Sequence, residues 1–364
     1  MADIPTRNML AQLTHQLLGD ASSPGEQLAA AQDLHRELTD IVSLTPISAT
    51  ERHGDDFQET RTEVGVAIAP YEAAMCLREH LRTRQFALGV KQALQEAKRR
   101  FPQDRLRVLY AGTGPFATLA TLQLPYFAAD EVGFTFLDIH DTSTLASQTL
   151  YNSLHALDYV DEWVTGDAAR YEPSTGFHVI VTEVLQRALL REPQVQVTRH
   201  LSRHLIEGGL FVPEDIHLDL TVCDPRAIFL ADDAKGNTDP TSPERIQLGS
   251  VFHLCGAQAW SLPEEGGRIP LGFITIPEVP DDEMTLNIFT RIRTFGDLWL
   301  NENDCSLNLV ATADLQPHIR SGERLNVAYR IADEPGLEFE RPQPTNAAAL
   351  TATESQTTEM KARI

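Results

Sequence analysis

Cysteine is scarce in this chain of 364 residues. Its four cysteines, Cys76, Cys223, Cys255 and Cys305, show no Cys-x-x-Cys spacing, which excludes a disulfide framework. Long apolar runs are missing too. Nothing approaches the ~20 residues needed to cross a bilayer, and the chain opens without a basic-then-apolar leader. The expectation is a cytoplasmic protein that makes no membrane contact. Basic side chains are outnumbered, 30 against 52 acidic ones, for a net charge of −22. That balance argues against nucleic acid and anionic membrane as partners. It would draw in cationic substrates, although acidity kept for solubility alone explains it equally well. The histidines show no ligand spacing, so no metal is expected. Tandem repeats and low-complexity blocks are absent. What remains is a hydrophobic content of 42%, ordinary for a chain that buries a real core.

The chain is organised around residues 108 to 192. Val108-Leu109-Tyr110-Ala111 is an apolar run that ends in Gly112-Thr113-Gly114 and then opens into Ala117-Thr118-Leu119-Ala120-Thr121-Leu122. That order reads as strand, glycine turn and helix. The glycines let backbone approach a ligand, and a helix start offers free N–H groups. A second strand-like run, Gly133 to Leu137, ends in Asp138, where a carboxylate can accept hydrogen bonds from ribose hydroxyls. Gly166-Asp167-Ala168 follows a third short run, Trp163-Val164, and offers Asp167 to an adenine amino group. A fourth strand, Val179-Ile180-Val181, runs into a mostly apolar loop bracketed by Glu183 and Glu192. Upstream lies Leu77-Arg78-Glu79-His80-Leu81-Arg82-Thr83 on a helix expected from about 71 to 99.

The two glutamates nine positions apart, the Arg-Thr pair before the glycine turn, Asp138 and the later Gly208-Gly209 strand resemble the protein arginine methyltransferase family. The resemblance implies S-adenosyl-L-methionine as cofactor, bound by Gly112, Gly114, Asp138 and Asp167, with Arg82 on its methionine carboxylate. It implies Glu183 and Glu192 as the catalytic pair that clamps the substrate guanidinium. A planar guanidinium presents a fixed fork of donors, and two carboxylates can bind it from two sides. The implied fold is an α/β Rossmann-like methyltransferase domain followed by a β-barrel-like domain.

The expected division is a helical hairpin over 1–52, the cofactor domain over 53–214, the β-barrel-like domain over 215–340 and a disordered tail over 341–364. In the hairpin, Met9, Leu10, Leu13, Leu17 and Leu18 share a face, and Ser23-Pro24-Gly25-Glu26 is a start signal for the second helix, which buries Leu34, Leu38 and Ile41. The hairpin either packs on its own chain or pairs with a second subunit, so a homodimer is expected. Residues 53 to 62 are polar and read as a mobile segment. Asp141 to Leu157 and Gln194 to His204 read as helices. Beyond Pro213 the expected strands are 216–222, 246–254, 271–276, 284–295, 305–310 and 325–331, divided by Pro-, Gly- and Asp-rich turns.

Two departures from the family matter. The Thr-His-Trp turn that many members carry in the barrel is absent, with Asn301-Glu302-Asn303-Asp304 near the place to look for it. The one candidate for a dimerisation arm, Arg226 to Thr241, is short and polar. Both fit a relative that methylates a small guanidino compound, free L-arginine, in natural-product biosynthesis. The alternatives are a protein arginine methyltransferase, a methyltransferase of another small molecule, and a non-catalytic dimeric scaffold. A nicotinamide dehydrogenase is disfavoured, because Pro115-Phe116-Ala117 stands where a third glycine would continue its pattern.

Overall fold

The computed structural model describes residues 4–44, 55–224, 245–279, 284–316 and 318–342. Helices α1 (Ile4–Leu18) and α2 (Pro24–Val42) form the expected hairpin. Ser23 caps α2 in a full capping box: its hydroxyl accepts from the Glu26 amide while the Glu26 carboxylate accepts from the Ser23 amide at 2.8 Å. Leu10, Leu17, Leu18, Leu34 and Leu38 are buried in the core shared with the rest of the chain. Arg84 pairs with Asp20, Arg7 donates to the Tyr159 hydroxyl, and His35 meets Phe116 edge-on. The hairpin therefore packs on its own chain.

The segment read as mobile is ordered where it is described. Asp55–Phe57 is a 3-10 turn, and β1 (Thr60–Thr62) pairs antiparallel with β2 (Gly65–Ala67). The long helix expected from 71 to 99 is broken. It begins as α3 (Pro70–Met75), tightens into a 3-10 turn over Cys76–Arg78, and restarts as α4 (His80–Arg100). The Thr83 hydroxyl reaches back across the break to the carbonyls of Cys76 and Leu77, and the Cys76 carbonyl also accepts from the Glu79 amide at 3.1 Å.

The region expected to hold the cofactor contains a parallel five-stranded sheet built from β3 (Leu106–Ala111), β4 (Val132–Asp138), β5 (Val160–Thr165), β6 (Phe177–Thr182) and β7 (Leu205–Val212), in the order β5-β4-β3-β6-β7. Every residue of β4 and β6 is buried, as apolar runs covered on both faces require. Phe86, Val90 and Leu94 of α4 bury against this core. The chain runs outward from β3 through β4 and β5, then returns beside β3 with β6. The carboxyl ends of β3 and β6 therefore flank the point where the winding reverses, the usual place for a ligand crevice.

The helix expected after the glycine turn is only α5 (Thr118–Thr121), entered through Ala117 at φ +42°. One turn has little dipole to offer. Helix α6 (Asp141–Ser153) buries Ser147 and Leu150, with Leu154 buried just beyond it, but Leu157 is exposed rather than facing the sheet. Helix α7 (Gln194–Leu201) ends in a 3-10 turn over Ser202–His204.

Antiparallel strands follow. In one sheet, β8 (Asp215–Cys223), β9 (Ile246–Cys255), β11 (Thr285–Phe295) and β12 (Leu298–Leu300) run in the order β12-β11-β8-β9, with β13 (Ala311–Thr312) also on β11. In the other, β10 (Arg268–Thr275), β14 (Arg324–Arg330) and β15 (Gly336–Glu340) run in that order. Phe252 of β9 stacks on Tyr329 of β14 at 5.1 Å, joining the two sheets in one core. The strand expected at 305–310 is instead a 3-10 turn, Ser306–Asn308, held by the buried Asn308 side chain donating to the Thr290 carbonyl at 2.7 Å. Strand β15 had no counterpart among the expected runs. Residues 226–241 and the tail past 342 lie outside the described residues. Gly89 brings α4 against this module, since a Cβ there would stand 2.8 Å from the Thr294 side chain.

Candidate active site

All seven residues singled out from the sequence line one cavity of about 940 Å³, its open mouth included. Gly112, Gly114, Asp138, Asp167, Arg82, Glu183 and Glu192 converge there from five separate stretches of chain. The crevice at the β3/β6 reversal is where they meet. Gly112 sits at φ +78°, and a Cβ on it would fall 2.5 Å from Val184 Cγ1 and 2.7 Å from the Glu183 carbonyl. Its glycine is demanded by the close approach of the glutamate loop as well as by conformation.

Asp138 is buried, and its oxygens already accept from the Gly114 amide at 2.8 Å, the His140 amide at 2.9 Å and the Thr113 hydroxyl at 3.4 Å. It holds the glycine turn in shape and has little accepting capacity left for a ligand. Asp167 accepts from the Ala169 amide at 2.9 Å and faces the cavity less completely buried.

Arg82 is nearly buried, between Glu79 at 3.4 Å and Glu183 at 3.3 Å. Burial works against its charge, but the acidic groups around it more than offset this and hold the guanidinium firmly protonated. Its Nε is buried without a hydrogen-bond partner among the described residues. Glu79 accepts in turn from the amide and hydroxyl of Ser306 at 3.0 and 2.8 Å. Ser306, in the turn that replaces the expected strand, is thus what the β module offers to this network. The stretch Asn301 to Asp304 does not line the cavity; Glu302 instead forms a two-pronged pair with Arg245.

The two glutamates differ. Glu183 is held on both oxygens, by Arg82 on Oε1 and by the Tyr110 hydroxyl donating to Oε2 at 2.9 Å. Glu192 accepts no side-chain hydrogen bond among the described residues and is 6% exposed. Burial pushes its carboxyl up to about 7; Arg82 pulls it down, and Glu183 adds repulsion that raises it further. The loop between them is strained. Ala188, Leu189 and Arg191 all adopt positive φ, at 55°, 52° and 65°. Such conformations cost on the order of 1–3 kcal/mol each and persist where the surroundings over-determine them. Here the β module does so: the Thr290 hydroxyl accepts from the Ala188 amide at 2.8 Å, and the buried Tyr329 hydroxyl donates to the Leu189 carbonyl at 2.7 Å.

The β1–β2 hairpin roofs the cavity with Thr62 and Ala67, joined by Ile68 just past it. The Val66 amide donates to the Arg191 carbonyl at 2.8 Å, Glu59 pairs with Arg191, Glu63 pairs with Arg170, and Thr60 meets the His140 ring at 3.1 Å. Sequence reasoning missed this roof, together with Tyr110, Cys76 and Ser306. Glu79, three positions before Arg82 on one turn of chain, was the one partner whose spacing signalled it. Cys76 lines the cavity as a thiol, since burial pushes its pKa up to about 11.

Tyr110→Phe tests the hold on Glu183. The ring keeps its packing while one donor is lost, and the expected outcome is about a tenfold fall in any turnover that depends on Glu183, with folding retained.

The sequence matches no family model and no curated protein. Among solved structures, the chain is similar to the Trypanosoma brucei PRMT1 enzyme–prozyme heterotetrameric complex with AdoHcy. Identity is 10% over 73% of this chain and 92% of that one, with a TM-score of 0.47. It is also similar to the open conformation of Arabidopsis thaliana protein arginine methyltransferase 10. There identity is 13% over 68% of this chain and 84% of that one, with a TM-score of 0.44. The residues of the cavity, rather than these likenesses, carry the functional reading.

Proposed function

We propose that this protein is an S-adenosylmethionine-dependent N-methyltransferase that acts on a guanidino nitrogen, with free L-arginine as acceptor. The observation that carries the reading is the convergence of a glycine turn, a buried arginine, the buried Glu192 and the partly buried Glu183 on one cavity. The cofactor fits an orphaned donor: Arg82 Nε, buried and unpartnered, suits the carboxylate of an amino-acid moiety. Asp167 and the residual capacity of Asp138 suit the nucleoside end, with Gly112 and Gly114 in the turn beneath. When bound, the cofactor supplies an electrophilic methyl group on a sulfonium.

Glu183, fixed in plane by Arg82 and Tyr110, gives a planar guanidinium a rigid carboxylate edge to align on. Glu192 closes the other side. Together they draw positive charge away from the attacking nitrogen and aim it, so that orientation and electrostatics supply most of the rate. Glu192 is the group suited to take up the proton released on transfer, because its own affinity for a proton is poised near neutrality. The lack of a Thr-His-Trp turn supports a small acceptor over a protein chain. A cytoplasmic enzyme working as a homodimer completes the reading.

The test is incubation with S-adenosylmethionine and L-arginine, followed by mass detection of Nω-methyl-L-arginine. Product from free arginine supports the reading; transfer confined to arginine-rich peptides would replace the acceptor, and no transfer to any guanidine would remove it. The pH dependence follows from Glu192. Below about 7 it is protonated and no longer attracts a guanidinium; above about 7 it is an anion. Affinity for L-arginine should therefore rise as pH increases from 6 to 8, with proton release on binding near 7 visible by calorimetry in buffers of different ionisation enthalpy. In Glu192→Gln both should vanish.

A further inference from the structure

We propose that Glu172, His200 and His204 form a site for one divalent transition-metal ion of the zinc class, separate from the cavity. None of the three lines the cavity. His200 is in α7 and His204 in the 3-10 turn that continues it, four residues apart and on one side, with ring centroids 5.3 Å apart. The loop between β5 and β6 brings Glu172 to them. Its Oε1 stands 3.7 Å from His200 Nε2 and its Oε2 stands 3.6 Å from His204 Nε2, one oxygen to each ring. All three ligand atoms lie within 4.8 Å of one another.

These separations are too long for hydrogen bonds. They suit ligands that share an ion, since two donors each ~2.0–2.1 Å from a tetrahedral zinc lie roughly 3.3 Å apart. A second observation points the same way. His204 Nε2 is buried and has no hydrogen-bond partner among the described residues. If attraction between charges alone had assembled the cluster, the carboxylate, 73% exposed and free to move, would have closed onto one ring.

His200 Nε2 now contacts the Tyr171 carbonyl at 2.7 Å. The ring can carry its proton on Nδ1 instead, which frees Nε2 for the ion once the Tyr171 carbonyl draws back from this contact. Nitrogen donors favour zinc, nickel or copper over magnesium or calcium. The bound ion would fasten the β5–β6 loop, whose Asp167 lines the cavity, to α7. The other cluster of this kind among the described residues, Asp215 with His217 and His253, is unlike it. There the Asp215 carboxylate is engaged by both Arg293 and His253, and the two rings stack nearly parallel, at 7°.

Titration of the full chain with zinc chloride, after treatment with a chelator, is the test. One zinc ion should bind per chain, and magnesium chloride should give no binding. His204→Ala and Glu172→Gln, both at partly or fully exposed side chains, should each weaken zinc binding at least ~10-fold, whereas His253→Ala should leave it unchanged. Zinc should also raise the melting temperature of the native chain and not that of His204→Ala. No saturable zinc binding, or equal affinity in all the variants, would overturn the site. The readout is independent of methyl transfer, so it stands or falls separately from the proposed function.

Discussion

Replacing Glu183 with glutamine should lower kcat/KM for a guanidino acceptor by about 10²–10³-fold, the usual effect of removing one preorganised electrostatic group from a water-poor site. The change is nearly isosteric but removes the charge that faces the guanidinium, and it puts an amide N–H where an acceptor is needed. Because Arg82 and Tyr110 both donate to Glu183, the amide can keep at most one of these bonds well formed. The loss should fall mainly on turnover and acceptor binding. Affinity for S-adenosylhomocysteine should change only a few-fold, since Arg82 remains. Equal loss for cofactor and acceptor would place Glu183 in the cofactor's site instead.

Arg82→Ala should be the most damaging single change to the protein as a whole. It removes a nearly buried cation from between Glu79 and Glu183, leaving two acids to face each other across a desolvated gap. Breaking such a pair costs on the order of 3–5 kcal/mol when it is fully buried, and somewhat less here because Glu79 is a third exposed. Cofactor affinity should also fall by ~10²-fold or more, as a carboxylate partner is lost. Arg82→Lys separates the two effects. A lysine retains the charge and most of the stability but lacks the planar fork and the Nε donor. Thermal melting should therefore stay near that of the native chain while S-adenosylhomocysteine binding weakens about tenfold.

The sequence revealed what depends on local order and missed what depends on distant contact. The strand–glycine–Asp138 pattern and the Glu183–Glu192 spacing are short-range signals, and the residues they picked out line one cavity. The capping box at Ser23 was legible for the same reason, being complete within four residues. The break at Cys76–Glu79 was not, because periodicity continues through it while the reasons for it come from afar: Ser306 holds Glu79, and Glu183 holds Arg82. Tyr110 read as one more apolar residue of a strand, and only the fold shows its hydroxyl meeting Glu183. The strand expected at 305–310 failed because Asn308 turns inward to a carbonyl of β11, a bond no local pattern announces. Glu172 lies 28 positions upstream of His200, in the loop between β5 and β6, so only the fold brings it beside the His200–His204 pair.

Calorimetric binding of L-arginine to the protein saturated with S-adenosylhomocysteine, with Glu183→Gln as control, tests the central claim most directly. The account predicts saturable binding by the native chain, strengthening from pH 6 to pH 8, and its loss in the variant. Cofactor binding with no arginine binding at any pH, or arginine binding that the variant keeps, would contradict the guanidinium clamp.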